Sequence, residues 1–477
     1  MHVHICKYMH MHVDDYYSTS KVAKLAGIHK DTLLRWLRNG LIPEPSRDRH
    51  GWRSFSYSEL NNILNFTQSS ASSQNPLFVS ENSFGYINNL KSIDWDFFGA
   101  KTSYLTHGIH PYPAKFIPQI PNALIQELSS VGETVGDIFC GSGTTLVEAL
   151  SLKRNAIGID ANPLACLISK AKTVLLSDSD TTTLSNLCLK AKNSFEELSL
   201  SRQGTLFNQT MYKSSAWRPD SNNLNFWFTP SVIEELAECL SWCNEITSEN
   251  AKSLALTAFS SIIVAVSKQD SDTRYVRREK FIEIGDVFKK FYKSLENCIR
   301  ASLSFSELTE SRFSCNIYNS NLLDPPDIDT LDLIVCSPPY PNAFSYHLYH
   351  RTRMLWLQMN QIDFKSVEIG SHRKYSSKSS KAASIDTFKL EFSSIFKWVK
   401  SHLKYDGFAC FVIGDSIIRG EVFKNASILS ALANSFGFKE VASIERSIQN
   451  TKKSFNPSIG NIKNETILIL QNSGRQI

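Results

Sequence analysis

Three features that would assign the chain to a class at once are scarce in its 477 residues. The ten cysteines are scattered from Cys6 to Cys410 and include no CxxC pair, so neither a disulfide framework nor a zinc site is expected. No apolar run reaches the roughly 18 residues that a membrane span requires, and no signal peptide is evident. We therefore expect a cytoplasmic protein, associated with the nucleoid if it is bacterial, that binds neither a membrane nor a metal.

Charge of one sign is the third scarce feature, because the net charge is only +5 at pH 7. A nucleic-acid partner is allowed by this value but is not required by it, so the local distribution of basic residues has to decide. The length allows two or three domains, and 42% hydrophobic residues suffice for their cores. Basic side chains gather in residues 1–66, which makes this segment a candidate DNA contact.

Residues 1–66 have the spacing of a helix-turn-helix. The stretch "STSKVAKLAGIHKDTLLRWLRNGLI" predicts two short helices joined at Gly27, the second ending at Gly40. A Gly-containing turn flanked by arginines follows, and then a further helix. The segment resembles the winged DNA-binding domain of MerR-type regulators, whose second helix enters the major groove and whose wing contacts phosphates. The resemblance implies DNA contacts by Lys30, Thr32, Arg35, Arg47, Arg49, Trp52, Arg53 and Tyr57.

A small protein-interaction module with a solvated basic face is the alternative for this segment. The sequence lacks the coiled-coil helix through which MerR-type regulators usually pair, so the oligomeric state stays open. The polar, Ser-rich run "TQSSASSQNP" comes next and indicates a flexible linker, which we place at residues 67–100.

The second domain contains a strand, a glycine loop and a helix in succession. Val135–Phe139 is a short apolar strand, Gly141 and Gly143 mark a tight turn, and a helix begins at Thr144. Asp160 ends a second strand, "AIGID", at the distance where nucleotide-binding folds place an acid on ribose hydroxyls. A third glycine that would complete the dinucleotide pattern is missing, which favours a nucleoside without a pyrophosphate, such as S-adenosylmethionine. A plain strand-to-helix turn is the alternative.

Further along, "LDLIVCSPPYPNAF" begins as a buried strand and then turns a stiff corner, because Pro338 and Pro339 fix φ and donate no hydrogen bond. Together with "HPYPAKF", "DIFCGSGTT" and "GIDANP", this "SPPY" resembles the motifs of the DNA amino-methyltransferases. The resemblance implies a doubly wound, Rossmann-like α/β sheet, S-adenosylmethionine as cofactor and double-stranded DNA as partner. It implies that the cofactor is bound by Lys115, Phe116, Asp137, Phe139, Gly141, Ser142, Gly143, Thr144, Asp160, Asn162 and Asn321.

One position departs from the common pattern of that family. Relatives often have an acid before the catalytic motif that contacts the adenine ring of the cofactor, whereas this chain has "IYNSNLLDPPDID". Ser320 or Asn321 replaces the acid, or Asp324 serves from a shifted position. The sequence does not decide between them.

The resemblance makes Ser337, Pro338, Pro339 and Tyr340 the catalytic residues, and amine chemistry explains their types. The lone pair of an exocyclic amine is delocalised into the base, so a site must accept both amine protons to free that pair for attack on the methyl group. A carbonyl held by prolines and the Ser337 hydroxyl provide such acceptors, and Tyr340 offers a ring on which an extruded base can stack.

The chemistry of the product follows from two further observations. No Pro-Cys dipeptide occurs anywhere in the chain, which excludes the usual nucleophile of cytosine carbon-5 methylation. Ser at position 337 resembles the cytosine-N4 enzymes, whereas adenine-N6 enzymes more often have Asp or Asn there. Adenine remains the alternative product, and a DNA-binding regulator whose methyltransferase fold only senses the cofactor is the alternative of another class.

The segment between Asp160 and Ser337 is far longer than a single βαβ crossover requires. It predicts a helical insertion over residues 178–311, between a cofactor-binding part at 101–177 and a catalytic part at 312–477. The run "TRYVRREK" makes Arg274, Arg277 and Arg278 candidate DNA contacts, with a solvated helix face as the alternative. The run "SHRKYSSKSSK" predicts a mobile loop in which Arg373 and Lys374 close on phosphates.

Overall fold

A computed structural model describes residues 17–26, 28, 33, 36–37, 42–43, 45–47, 53–70, 89–204, 212–341, 344–377, 382–448 and 464–474. The chain divides into two compact units, Met1–Asn82 and Ser83–Ile477.

The first unit is built around a three-stranded antiparallel sheet with the order β1-β3-β2. Helix α1 begins after Ser18 because that side chain accepts a hydrogen bond from the backbone N–H of Lys21. The elements of this unit share one apolar core, which includes Val22, Leu33 and Phe55. The elements are β1 (Tyr17–Ser18), α1 (Thr19–Leu25), β2 (Ser46–Arg47), β3 (Arg53–Phe55) and α2 (Tyr57–Ser70).

The predicted DNA contacts of this unit are only partly described. Arg47 and Arg53 are backbone partners on the antiparallel strands β2 and β3, and Tyr57 begins α2 with its side chain exposed. Leu33 and Leu37, from the predicted second helix, are buried. Lys30, Thr32, Arg35, Arg49 and Trp52 lie outside the described residues.

The second unit contains a seven-stranded sheet with the order β13-β14-β10-β9-β4-β5-β8. Strands β10, β9, β4, β5 and β8 run parallel, and β14 is antiparallel to both of its neighbours. The helices and strands that surround the first part of the site are α3 (Gln119–Leu128), β4 (Thr134–Asp137), α4 (Thr144–Ser151), β5 (Asn155–Asp160) and α5 (Pro163–Thr173).

Helices and a small hairpin then separate β5 from β8. They are α6 (Asp178–Gly204), α7 (Leu224–Trp227), α8 (Pro230–Asn244), α9 (Glu249–Val266), β6 (Gln269–Ser271), β7 (Arg274–Arg277) and α10 (Asp286–Ser306). These helices share a core of their own, in which Cys239 and Cys243 are fully buried apolar residues. The described residues include no helix that is both long and apolar enough to cross a membrane.

The remaining elements complete the sheet and its cover. They are β8 (Cys315–Asn319), β9 (Leu331–Cys336), α11 (Tyr346–Tyr349), α12 (Arg351–Trp356), α13 (Gln361–Val367), α14 (His372–Tyr375), α15 (Ile385–His402), β10 (Leu403–Gly414), β11 (Ser416–Ile418), β12 (Glu421–Phe423), α16 (Asn425–Asn434), β13 (Phe438–Ser447) and β14 (Asn464–Asn472).

Apolar cores cover both faces of this sheet. Helices α15 and α16 pack on one face, and α3 and α4 pack on the other. Strand β9 reads "LDLIVC" and is almost wholly buried, as expected for a parallel strand covered on both sides. The doubly wound α/β fold predicted from the sequence is therefore confirmed.

The strand order also positions the site. The chain passes from β4 to β5 on one side, whereas β9 joins β4 on the other side, so the order reverses at β4. In doubly wound folds, ligands bind outside the carboxyl ends of the strands at such a reversal. Asp160 and Ser337 lie at or just beyond the carboxyl ends of β5 and β9, next to this point.

The structure differs from the sequence prediction in the segment assigned to a linker. Residues 67–70 belong to α2, and residues 89–92 form a helical turn. Leu90 and Trp95 are buried in the core of the second unit, and the Trp95 indole N–H donates to the carbonyl of Leu90 at 2.8 Å. The prediction of a linker reaching residue 100 is therefore wrong, because apolar residues of its second half belong to that core.

Two smaller expectations are also corrected. Strand β4 ends at Asp137 rather than Phe139, because the Asp137 carboxylate accepts the backbone N–H of Phe139 and turns the chain. The predicted mobile loop after residue 371 begins as helix α14 instead. Tyr375 is buried there against Ala383 and Ile418. Residues 378–381 lie outside the described residues.

Candidate active site

A pocket that is partly open to solvent lies at the carboxyl ends of β4, β5 and β9. Asp137 and Gly143 are not among the residues that line it, and neither are Pro338 and Tyr340. The predicted residues that do line it are Lys115, Phe116, Phe139, Gly141, Ser142, Thr144, Asp160, Asn162, Asn321, Ser337 and Pro339. The motifs quoted from distant parts of the sequence therefore meet around one cavity.

The glycine loop leads into this cavity because two of its residues adopt left-handed backbone conformations. Gly141 has φ +48° and Gly143 has φ +77°, a region that favours glycine. A Cβ atom at Gly143 would also lie 2.9 Å from the Oγ atom of Ser169 on α5. The loop can therefore pack closely against α5 and present the start of α4 to the pocket.

Asp160 connects the end of β5 to the glycine loop. Its Oδ2 atom accepts the backbone N–H of Gly141 and its Oδ1 atom accepts that of Asn162, both at 2.8 Å. Burial raises the pKa of Asp160 to about 6, although these two hydrogen bonds act in the opposite direction. Each carboxylate oxygen has a second acceptor site, so Asp160 can still bind hydroxyl donors of a ligand.

A buried lysine supports the other side of the loop. Lys172 on α5 is fully buried, and its Nζ atom donates to the Oγ atom of Ser142 at 3.2 Å. Burial, together with the charge of Lys115, lowers the pKa of Lys172 well below its usual value. The Nζ atom of Lys115 donates to the carbonyl of His107 at 2.8 Å, so this predicted cofactor residue already has one partner.

Aromatic side chains that sequence reasoning missed form part of the wall. Tyr112 stacks on His350 with ring centroids 5.0 Å apart and on Tyr346 at 5.9 Å, and its hydroxyl accepts from the Asn162 amide at 3.3 Å. Tyr112 and Tyr346 both line the pocket. Tyr112 lies inside the quoted "HPYPAKF" motif, which could have identified it, whereas Tyr346 follows the catalytic motif without any recognisable pattern.

The catalytic corner, residues 337–340, leaves the sheet directly after β9. The Ser337 hydroxyl donates to the backbone carbonyl of Val412 on β10 at 3.0 Å. Because its proton is used in this bond, the Oγ lone pairs of Ser337 can only accept. Tyr340 packs against the core beneath α15, and burial, followed by the charge of Glu465, raises its pKa. Tyr340 therefore does not present the pocket-lining ring that stacking would require, whereas Tyr346 does.

A further wall comes from residues 364–369, which the sequence analysis did not nominate. Phe364, Val367, Glu368 and Ile369 line the pocket. Glu368 is buried, and its Oε2 atom lies 2.6 Å from the Nδ1 atom of His347. The sequence offers no signal for this wall, because it depends on the docking of α13 beside the corner.

The structure bears on which residue replaces the acid that relatives have before the catalytic motif. Ser320 and Asn321 line the pocket, and Asp324 does not. The Ser320 hydroxyl donates to the Asp324 carbonyl at 3.2 Å, and Asn321 Oδ1 accepts the backbone N–H of Leu323 at 3.1 Å. The turn that these bonds form directs residues 320–322 toward the cavity.

The candidate DNA contacts of the second unit have acidic neighbours. Arg274 and Arg278 both pair with Asp270, at 3.2 and 3.3 Å, on the hairpin β6–β7. Arg277 pairs with Glu279, and Lys374 pairs with Glu391 at 2.6 Å. Arg373 is exposed. Only the Arg277–Glu279 pair is exposed on both sides and so contributes little energy, whereas Asp270 and Glu391 are nearly buried. Arg277 and the exposed Arg373 are therefore the side chains here that can turn to phosphates most easily.

The amino-acid sequence of the chain was compared with protein families and with known proteins. A family model described as DNA methylase matches residues 47–171, and one described as MerR family regulatory protein matches residues 18–55. The chain is 26% identical over 431 residues to the Type II methyltransferase M.MvaI of Kocuria varians, covering 79% of this chain and 93% of that protein.

Two other relatives match shorter stretches. The Type II methyltransferase M.MjaII of Methanocaldococcus jannaschii is 42% identical over 93 residues, which cover 20% of this chain and 17% of that protein. M.BsoBI of Geobacillus stearothermophilus, also a Type II methyltransferase, is 24% identical over 281 residues, 52% of each chain. These matches show that the chain is similar to DNA methylases and to Type II methyltransferases, and they support S-adenosylmethionine as its methyl donor.

Proposed function

We propose that the protein transfers a methyl group to the N4 amine of a cytosine flipped out of double-stranded DNA. The observation that carries this proposal is the Ser337 hydroxyl, which is fixed as an acceptor by Val412 and lines the same pocket as Asp160. A neutral side chain that can only accept suits an exocyclic amine, and serine at this position, where Asp or Asn is more often found in adenine-N6 enzymes, resembles the cytosine-N4 enzymes.

The residues around the pocket fit S-adenosylmethionine. Asp160 has free acceptor sites for the ribose hydroxyls, and Phe116, Phe139 and Leu322 provide apolar surface for the adenine ring. We assign Asn321, which lines the pocket, to the edge of that ring. When bound, S-adenosylmethionine supplies a methyl group on a positively charged sulfur.

The corner prepares the amine for its reaction. Ser337 Oγ and a carbonyl of the proline corner each accept one amine hydrogen, which draws the nitrogen lone pair out of the ring. Pro338 is buried and both prolines have fixed φ, so the acceptors keep their orientation. The sequence predicts that Tyr340 stacks on the base, but its ring does not line the pocket, so we assign this role to Tyr346, which does.

Nucleoside analysis tests this proposal. DNA incubated with the protein and labelled S-adenosylmethionine would be digested, and its nucleosides would be separated by mass. N4-methylcytosine is the expected product. If N6-methyladenine is the only product, the target base is adenine and not cytosine. The absence of any methylated base would favour a regulator that only senses the cofactor.

The first unit is proposed to bind DNA as a winged helix-turn-helix. Two observations support this role. Residues 18–55 match the MerR model, and Arg47 and Arg53 lie opposite each other in the register of strands β2 and β3. Its contribution should be to hold the enzyme on the duplex, since a second binding unit on one chain raises the effective concentration of the first.

Removing residues 1–82, the whole first unit, should therefore raise the Michaelis constant for DNA and leave kcat nearly unchanged. The increase in the constant can reach about 10²-fold, and the logarithmic salt dependence of binding should flatten by about 0.9 for every DNA phosphate that the truncated enzyme no longer binds. Steady-state kinetics and binding titrations at several salt concentrations measure both effects. A truncated enzyme that binds DNA equally well but stops turning over would show that the unit belongs to the active site.

The affinity for the cofactor should depend on pH. The pKa of Asp160 is about 6, so its carboxylate is charged above that pH and accepts ribose hydroxyls best in that state. Affinity should be highest well above pH 6, where the carboxylate is fully charged, and should fall as the pH drops through 6. Calorimetry between pH 5 and 8 measures this, and Asp160→Asn should flatten the profile. A profile that persists in this variant would point to Asp137, whose pKa burial raises to about 7.

A further inference from the structure

The backbone of Gly370 touches the catalytic corner. Gly370 has φ +74°, and a Cβ atom built there would lie 2.8 Å from the carbonyl oxygen of Tyr340 and 3.1 Å from the carbonyl carbon of Pro339. Contacts below 3.0 Å to backbone atoms require one of the two segments to move. Only glycine fits this position without displacing the corner.

The segment that carries Gly370 is fixed on both sides of the contact. On one side, the Glu368 carboxylate accepts from His347 at 2.6 Å. On the other, the hydroxyls of Ser371 and Ser345 lie 3.0 Å apart. Residues 368–371 are all buried, so the segment has little freedom to withdraw from the corner.

We propose that residues 368–371 position the catalytic corner, with Gly370 as the positioning residue. This inference rests on the function proposed above. A displacement at Pro339 and Tyr340 passes to Ser337 because the intervening prolines are stiff, and it would move the acceptors away from the amine. Gly370 itself touches the corner and not the reacting atoms.

The test compares alanine substitutions at two glycines with nearly the same positive φ. Gly370→Ala adds both the strain of a positive φ and the collision with Tyr340. Gly99→Ala also places alanine at a positive φ, +73°, but nothing lies within 4 Å of its Cβ atom. For Gly370→Ala we expect kcat to fall by about 10²-fold, the scale of an ångström-sized misplacement of catalytic groups, with an unchanged Kd for S-adenosylmethionine. Gly99→Ala should keep the wild-type kcat.

Ser371→Ala provides a second test if Gly370→Ala does not fold, as judged by its melting temperature. It removes one anchor without adding atoms, so kcat should fall by about fivefold, the scale of one missing hydrogen bond, while the Kd for S-adenosylmethionine stays unchanged. Rates are measured with saturating DNA and cofactor so that kcat is separated from binding.

Several outcomes would overturn the proposal. A wild-type kcat in Gly370→Ala would do so, as would an equal loss in Gly99→Ala or a loss that lies in cofactor affinity instead of kcat. If Gly370→Ala does not fold, a wild-type kcat in Ser371→Ala decides against it. In each of these cases the wild-type enzyme still methylates DNA and the proposed function stands, whereas a wild-type enzyme inactive on DNA removes both.

Discussion

Alanine at position 337 is expected to reduce kcat by about 10²- to 10³-fold, the scale of removing one preorganised polar contact at a reacting centre. Ser337→Ala removes an acceptor of the amine hydrogens and leaves the prolines in place. Affinity for S-adenosylmethionine should stay close to that of the wild type, because Asp160 and the glycine loop are unchanged. Single-turnover methylation assays measure the rate, and calorimetry measures the affinity.

Ser151→Ala is the matched control for this variant. Ser151 is also partly buried and its hydroxyl also donates to a backbone carbonyl, that of Val147 at 2.7 Å. It lies at the far end of α4 from the glycine loop. Ser151→Ala should therefore keep its activity, and its melting temperature shows what the loss of such a bond costs in stability. Normal turnover in Ser337→Ala would mean that the corner only shapes the fold.

The second large effect is expected for Asp160→Ala, which should weaken the binding of S-adenosylmethionine by about 10²-fold or more. Each hydrogen bond from a ribose hydroxyl to a carboxylate contributes about 1.5 to 3 kcal/mol, and about 1.4 kcal/mol corresponds to a tenfold change in Kd. Binding of DNA through the first unit should survive. Calorimetry with the cofactor and a DNA-binding titration separate the two effects.

This substitution also removes the partner of two backbone N–H groups, those of Gly141 and Asn162. A control must therefore separate weakened binding from reduced stability. Asp332 on β9 accepts the backbone N–H of Thr134 at 2.8 Å, but it lies near the amino end of its strand, away from the pocket. Asp332→Ala should keep cofactor affinity. Unchanged affinity in Asp160→Ala would show that this carboxylate does not bind the ribose.

The parts of the site that follow strands directly could be predicted from the sequence. Asp160 and Ser337 each end or follow a buried apolar strand, and parallel strands bring their carboxyl ends to one edge of the sheet. The helix at Thr144 was also located correctly, because a glycine turn precedes it. Local patterns and sheet topology were sufficient for these residues.

The residues that were missed depend on contacts between distant segments. Tyr346 and Glu368 line the pocket, and Gly370 lies against the corner, only because α11 and α13 pack there. No periodicity or spacing in the sequence predicts that packing. Trp95 was placed in a linker because a Ser-rich run precedes it, although tertiary burial decides its position. The sequence predicts stacking by Tyr340 because it does not reveal how the chain turns after the second proline, and this turn leaves Tyr340 outside the residues that line the pocket.

The hydrogen bond from Ser337 to Val412 also affects which damaged bases the enzyme can process. Cytosine that loses its amine by hydrolysis becomes uracil, which carries a carbonyl oxygen where the amine was. Because the Ser337 proton is held by the sheet, the hydroxyl would meet that oxygen lone pair to lone pair, with no hydrogen to share. Uracil has no amine to methylate, and under the proposed function the central sheet adds a second barrier by weakening the binding of the deaminated base, so the enzyme should not be held at such a mismatch.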